Sequence, residues 1–232
     1  MASPSSGKQS TNYKRNMPDR LHWNSVTPLL KETLTIVMQN ELFQPFRLVG
    51  GTSLSLQLGH RMSDDIDLFT DEAYGSIGFE AIDSFLRTAF AYVSNLQKGP
   101  VGMGVSYLVG SSQDDTVKLD LFYTTDPFIQ PVLQVGSYRL ATVEEIIAMK
   151  IDIVQRKARQ KDFWDLHELM AEYTPTEMIA LHAKRYPYNH DEAMIRQNFT
   201  DFSRADGDFT PKCLRGKYWE LIKLDIVQAL MV

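Results

Sequence analysis

The chain has 232 residues, 44% of them hydrophobic, and a formal net charge of −5. That length allows one large domain, or a core with a helical appendage. The acidic balance rules out a surface that attracts nucleic acid as a whole, so a nucleic-acid partner needs a local basic patch. A single cysteine, Cys213, excludes an intramolecular disulfide and fits a reducing compartment. No apolar run is long enough to span a membrane, and no secretory apolar core opens the chain, so a cytoplasmic location without membrane contact is expected.

Residues 1–24 are rich in Ser, Lys, Asn and Pro and read as a flexible arm. From Val26 to about Leu42, apolar residues recur at helical spacing behind Thr27-Pro28, a cap followed by a first-turn proline. A buried strand, Phe46–Val49, comes next. It runs into Gly50-Gly51-Thr52-Ser53-Leu54, a two-glycine turn expected to open a short helix near Thr52 or Ser53. Free amides at a helix start bind phosphate oxygens, which makes Gly50, Gly51, Thr52 and Ser53 candidate nucleotide-binding residues.

After the loop holding His60 and Arg61 comes a second strand, Asp65-Ile66-Asp67-Leu68-Phe69. Side chains alternate along a strand, so Asp65 and Asp67 share one face and Ile66 the other. Asp64 falls on the Ile66 side. Two neighbouring carboxylates repel and are costly to desolvate, and a divalent cation compensates most simply, Mg²⁺ or Mn²⁺ by their hard oxygen ligands. Asp-x-Asp is also common on solvated strand faces, and Arg61 has two readings, an ion pair with a nearby acid or a place over the nucleotide.

Gly78–Ser94 reads as an amphipathic helix. Val101–Val109 and Thr116–Tyr123 alternate as two strands of a hairpin. Asp120 lies in the second, where burial without a partner is expensive. A salt bridge with Lys118, which shares its face, is one resolution. Pro127–Ala141 is an extended segment, an edge strand or a return loop. Thr142 and Glu145 then form a capping box for a helix to about Arg159. Lys150, Arg156, Lys157, Arg159 and Lys161 make its charge one-sided, and Lys150, flanked by Met149 and Ile151, is the lysine expected to bind phosphate. Lys161-Asp162-Phe163-Trp164-Asp165-Leu166 follows. Lys161 and Asp165 are four apart and can pair, whereas Asp162 can cap the next helix. The remainder is helical and polar, interrupted at Pro175, Pro187 and Asp206-Gly207-Asp208, and closes with a helix over Tyr218–Leu230.

Two motifs carry a resemblance over roughly residues 44–172. Gly50-Gly51-Thr52-Ser53-Leu54, Leu58-Gly59-His60-Arg61, Ser63 and Asp65-Ile66-Asp67-Leu68-Phe69 form the first, and Lys161-Asp162-Phe163-Trp164-Asp165-Leu166 the second. Together they resemble the nucleotidyltransferase AbiEii/AbiGii toxin family, a branch of the DNA polymerase beta-like nucleotidyltransferases. The resemblance implies an α+β fold: a mixed sheet core over 25–141 flanked by helices, and a helical region over 142–232 completing the cleft. It implies transfer of a nucleotidyl group from a nucleoside triphosphate, with Mg²⁺ (or Mn²⁺), to an acceptor that is RNA, such as transfer RNA, or protein. It also implies a toxin role with a cognate antitoxin, as in toxin-antitoxin or abortive-infection systems. Asp120 matches the third carboxylate, giving Asp65, Asp67 and Asp120 as metal ligands and catalytic acids, with Arg61, Lys150, Lys161 and Asp165 beside the nucleotide. A small-molecule nucleotidyltransferase and a non-catalytic nucleotide-binding protein are the rival readings.

Overall fold

The computed structural model describes residues 20–96 and 102–231. Helix α1 (Pro28–Gln39) starts where Thr27 Oγ1 accepts the Leu30 amide at 3.2 Å. Strand β1 (Arg47–Leu48) leads through Val49 alone into helix α2 (Gly50–Leu58), which begins at the first glycine and not at Thr52 or Ser53. Gly50 adopts φ +67°, a conformation that side chains resist, so the chain can turn from strand to helix within one residue. Gly59, at φ +64°, ends α2, and strand β2 (Asp65–Thr70) follows.

The stretch read as one helix over Gly78–Ser94 divides. Helix α3 covers Phe79–Ala89, and strand β3 takes Tyr92–Asn95 because it pairs with strand β4 (Gly104–Ser112). Tertiary pairing overrides the helical pattern there. Strand β5 (Asp115–Tyr123) closes the expected hairpin with β4. The extended segment becomes a small hairpin, β6 (Leu133–Val135) and β7 (Tyr138–Leu140). The seven strands form one mixed sheet in the order β3-β4-β5-β2-β1-β7-β6, with β2 parallel to β5 and antiparallel to β1.

Helices fill the rest: α4 (Val143–Gln155), α5 (Gln160–Leu169), α6 (Pro175–Arg185), α7 (Glu192–Phe199) and α8 (Trp219–Leu230). Helix α4 stops at Gln155, short of Arg159, and Lys157 turns the chain at φ +70°. Thr142 caps α4, but the capping box is half made. The Glu145 carboxylate instead accepts the Ile129 and Gln130 amides and pairs with Arg185 at 2.8 Å. Most of the expected N-terminal arm lies outside the described residues. Within it, Leu21 is buried and the His22 amide donates to Leu56 O.

Two apolar cores result. One lies between α1, α3 and the sheet face bearing Ile66, Leu68, Leu119 and Leu121. The other joins Val49 and Leu54 to α4–α8. The strand alternation that buries Ile66 and Leu119 therefore turns Asp65, Asp67 and Asp120 to the opposite face, beside α2 and α5.

Candidate active site

β2 and β5 are in parallel register with Asp67 opposite Asp120 and Asp65 opposite Lys118. Two carboxylates thus face each other across adjacent strands, with a third one strand repeat away on the same face. Gly50 covers them. A Cβ there would lie 2.7 Å from Asp67 Oδ2, so only glycine lets the backbone come this close. The β1–α2 turn is fixed to the acid strand by the Val49 amide, which donates to Asp67 O at 2.8 Å. The first-turn amides of α2, which have no partner inside the helix, start at this point.

The electrostatics of the three acids are unresolved by the protein itself. Burial, then Asp120 and Asp65, push the Asp67 carboxyl from 3.8 up to about 6. Asp120 accepts from Lys118 Nζ at 2.6 Å through Oδ2, while its Oδ1 is buried and has no hydrogen-bond partner. Lys161 Nζ approaches Asp65 Oδ2 at 3.8 Å. Burial, with Arg159 and Lys150 nearby, lowers the Lys161 pKa, as expected of a cation with too little compensating charge. No group of three or more His, Cys, Asp or Glu side chains among the described residues is already arranged to hold a metal ion. The donor set nonetheless fits a hard divalent cation. It has three carboxylates on one face, one unpartnered buried oxygen, and one acid, Asp67, raised to about 6 by burial and by its neighbouring carboxylates.

The remaining expected site residues fall into a second cluster behind the glycine turn. Arg61 grips Asp165 with Nε to Oδ1 at 2.6 Å and Nη2 to Oδ2 at 2.8 Å. His60 Nε2 meets Asp165 Oδ1 at 2.8 Å, and Lys150 Nζ meets Asp165 Oδ2 at 2.8 Å and Asp162 Oδ1 at 2.6 Å. All five are buried. Burial opposes their charges, yet Arg61 and Lys150 hold Asp165 well below its usual range, and Asp162 and Asp165 raise Lys150.

Lys150 is therefore a buried counter-ion and not an open phosphate-binding cation, and Asp165 pairs with Arg61 and Lys150, not with Lys161. Asp162 caps α5 by accepting the Arg159 amide at 3.1 Å. The basic run beyond is largely compensated as well: Arg156 pairs with Asp152 and Lys157 with Asp201. The Thr52 and Ser53 hydroxyls are buried. Thr52 Oγ1 bonds Ser63 Oγ at 2.8 Å and the Asp65 carbonyl, and Ser53 Oγ accepts from Gln57 Nε2 at 3.1 Å. The Ser53 amide also donates to Val49 O at 3.4 Å, so of these two residues Thr52 alone can still offer a ligand its backbone amide.

The two clusters meet at the turn, because the Arg61 guanidinium packs directly on Gly51 where a side chain would collide with it. The loop between them is also tied to distant chain. The Met62 amide donates to Lys212 O, the Leu214 amide to His60 O and the Ser63 amide to Ser25 O, each at 2.9 Å. Nothing in the sequence of 212–214 marks this role, since it rests on backbone groups. Lys118, by contrast, is detectable two residues before Asp120.

A mixed sheet with a glycine turn over paired strand carboxylates defines a nucleotidyltransferase fold. The model of the nucleotidyl transferase AbiEii toxin family, of type IV toxin-antitoxin systems, matches residues 33–225, and the chain belongs to this family. It is a nucleotidyltransferase of the toxin-antitoxin type. An uncharacterized protein of Aquifex aeolicus is 27% identical over 183 residues, 75% of this chain and 82% of that protein. Among solved structures, JHP933 from Helicobacter pylori superposes with a TM-score of 0.55 at 19% identity, covering 86% of this chain and 88% of its own. MenT4, a nucleotidyltransferase toxin from Mycobacterium tuberculosis, gives a TM-score of 0.54 at 15% identity, covering 87% and 81%. These two share the fold. Among the described residues no helix is long and apolar enough to cross a membrane.

Proposed function

We propose that the protein transfers a nucleoside monophosphate from a nucleoside triphosphate to a hydroxyl of an RNA such as transfer RNA. The observation that carries this reading is the registered pair Asp67 and Asp120, with Gly50 against Asp67 and Asp65 alongside. The acceptor oxygen bonds to the α-phosphorus, the bond from that phosphorus to the β-phosphate oxygen breaks, and pyrophosphate leaves. The unpartnered Asp120 Oδ1 is the available proton acceptor for the attacking hydroxyl. The first-turn amides of α2 hold phosphate oxygens, and Lys161, beside Asp65, adds positive charge at the mouth. The buried Asp165 fixes Arg61, and through Gly51 the turn, so that these groups need no rearrangement during transfer.

Asp65, Asp67 and Asp120 would hold Mg²⁺, or Mn²⁺ in its place, which would screen the phosphate charges and acidify the hydroxyl. RNA is taken as the acceptor to test first, with protein as the alternative. Toxicity restrained by a cognate antitoxin, in a toxin-antitoxin or abortive-infection setting, follows from the family by analogy.

Incubation with each α-phosphate-radiolabelled nucleoside triphosphate and Mg²⁺ or Mn²⁺, in total RNA and in total protein, tests the reading. Label in RNA that disappears with Asp65→Ala/Asp67→Ala supports it. Label in protein changes the acceptor. Absence of label from enzyme that still binds triphosphate returns the function to a small-molecule transferase or a non-catalytic binder.

A further inference from the structure

Asp120 uses only half of its carboxylate. Oδ2 accepts from Lys118 Nζ at 2.6 Å, and Oδ1 is buried without a partner. Lys118 stands two residues earlier on the same strand face, and its register partner on β2 is Asp65. One ammonium thus stands among the acids of the site, on the strand that bears Asp120. The Lys118 side chain is 41% exposed, against 15% for Asp120. It can leave without opening a cavity, and an ion pair with one partner so exposed has little structural worth. Lys161, the amine on the other flank, is longer-ranged at 3.8 Å from Asp65 and belongs to a helix.

We propose that Lys118 is a positioning residue with two stations. It holds Asp120 while the acids are without a divalent cation, and it moves onto the triphosphate when the cation arrives. The inference rests on the metal-dependent transfer proposed above. No covalent bond changes. Asp120 would exchange the ammonium for a divalent cation held with Asp65 and Asp67, and the Lys118 ammonium would meet an anionic phosphate oxygen, so both carboxylate and amine would stay compensated. The flexible four-carbon stem of a lysine suits such an exchange. The exchange has a signature of opposite signs. Without the Lys118 charge the cation loses a competitor and binds more tightly, while the triphosphate loses a partner and binds more weakly. A merely structural ion pair would, when broken, loosen the site toward both.

The test compares native protein with Lys118→Met and Lys118→Arg. Mn²⁺ binding to nucleotide-free protein is followed by electron paramagnetic resonance, and binding of a fluorescent nucleoside triphosphate by titration in Mg²⁺. Lys118→Met is expected to bind Mn²⁺ about tenfold more tightly and the triphosphate about tenfold more weakly. Lys118→Arg restores triphosphate binding. Lys118→Gln repeats the measurement if the methionine variant aggregates. Native and Lys118→Met proteins with equal Mn²⁺ affinity, or a weaker affinity in the variant, overturn this proposal and leave the metal site standing. A native protein that binds no Mn²⁺ overturns the metal reading and this proposal with it.

Discussion

Among the described residues two clusters of buried or half-buried aspartates are opposites. Asp162 and Asp165 sit among Arg61, Lys150 and His60, with every charge met at 2.6–2.8 Å. Asp65, Asp67 and Asp120 have only Lys118 and Lys161 at their edges, and one carboxylate oxygen is left without a partner. The same side chain is a fastener in the first cluster and, in the function proposed above, a reactive group in the second. What separates the two uses is whether the chain supplies its own counter-charge.

The largest expected effect is on the satisfied cluster. Asp165→Asn strands Arg61 and Lys150 without their shared anion, and should lower stability by about 3–5 kcal/mol. Urea unfolding measures this. A midpoint equal to the native one would mean that the buried charges are compensated elsewhere, and the contrast between clusters would collapse.

The unsatisfied cluster should respond with the opposite sign. Asp67 titrates at about 6 in the folded chain against an ordinary 3.8. The native state therefore holds this proton more tightly than the unfolded chain. The associated stability is present below pH 3.8 and is lost as pH rises through about 6. At pH 8, metal-free Asp67→Asn should be more stable than native protein by about 2–3 kcal/mol while losing all transfer activity. A lower melting temperature for this variant would show that Asp67 is already compensated. By the same proton competition, Mn²⁺ affinity should decline as pH falls below 6.

Smaller changes sharpen the contrast. Gly50→Ala forces a side chain into φ +67° and against Asp67, so a cost of about 1–2 kcal/mol is expected, with a fall in turnover greater than the stability loss explains. Lys161→Gln removes a partly exposed cation. Its thermal midpoint should shift by the equivalent of under about 1 kcal/mol, and the KM for triphosphate should rise more than kcat falls. A large stability change there would place Lys161 with the fasteners.

The strands and the acid face of β2 were legible because period-2 alternation puts Asp65 and Asp67 on one face, whereas Asp120 joined them only through the family resemblance until its register opposite Asp67 was seen. The partners of the basic residues were not. Lys150 and Lys161 are chemically alike in the sequence, and only the path of α4 and α5 over α2 buries the first and leaves the second beside Asp65. Asp165 could have paired with Lys161 by helical spacing, but Arg61, 104 positions away, approaches it with two donors. The helix expected over Gly78–Ser94 lost its end to β3 because pairing with β4 is non-local. Charge type and periodicity are local information, and counter-ion choice is not.

The ties on the Arg61 loop have a temporal consequence. His60 and Met62 find backbone partners at Leu214 and Lys212, some 150 positions further along the chain. During synthesis on the ribosome the glycine turn and all three acids emerge long before those partners. The loop that locks Arg61 against Gly51 can be completed only when residue 214 is free to fold back. A nascent chain thus carries every acid of the site before the backbone that fastens it exists. For a toxin-family enzyme, this order of assembly delays the finished site until residue 214 has been made and can fold back.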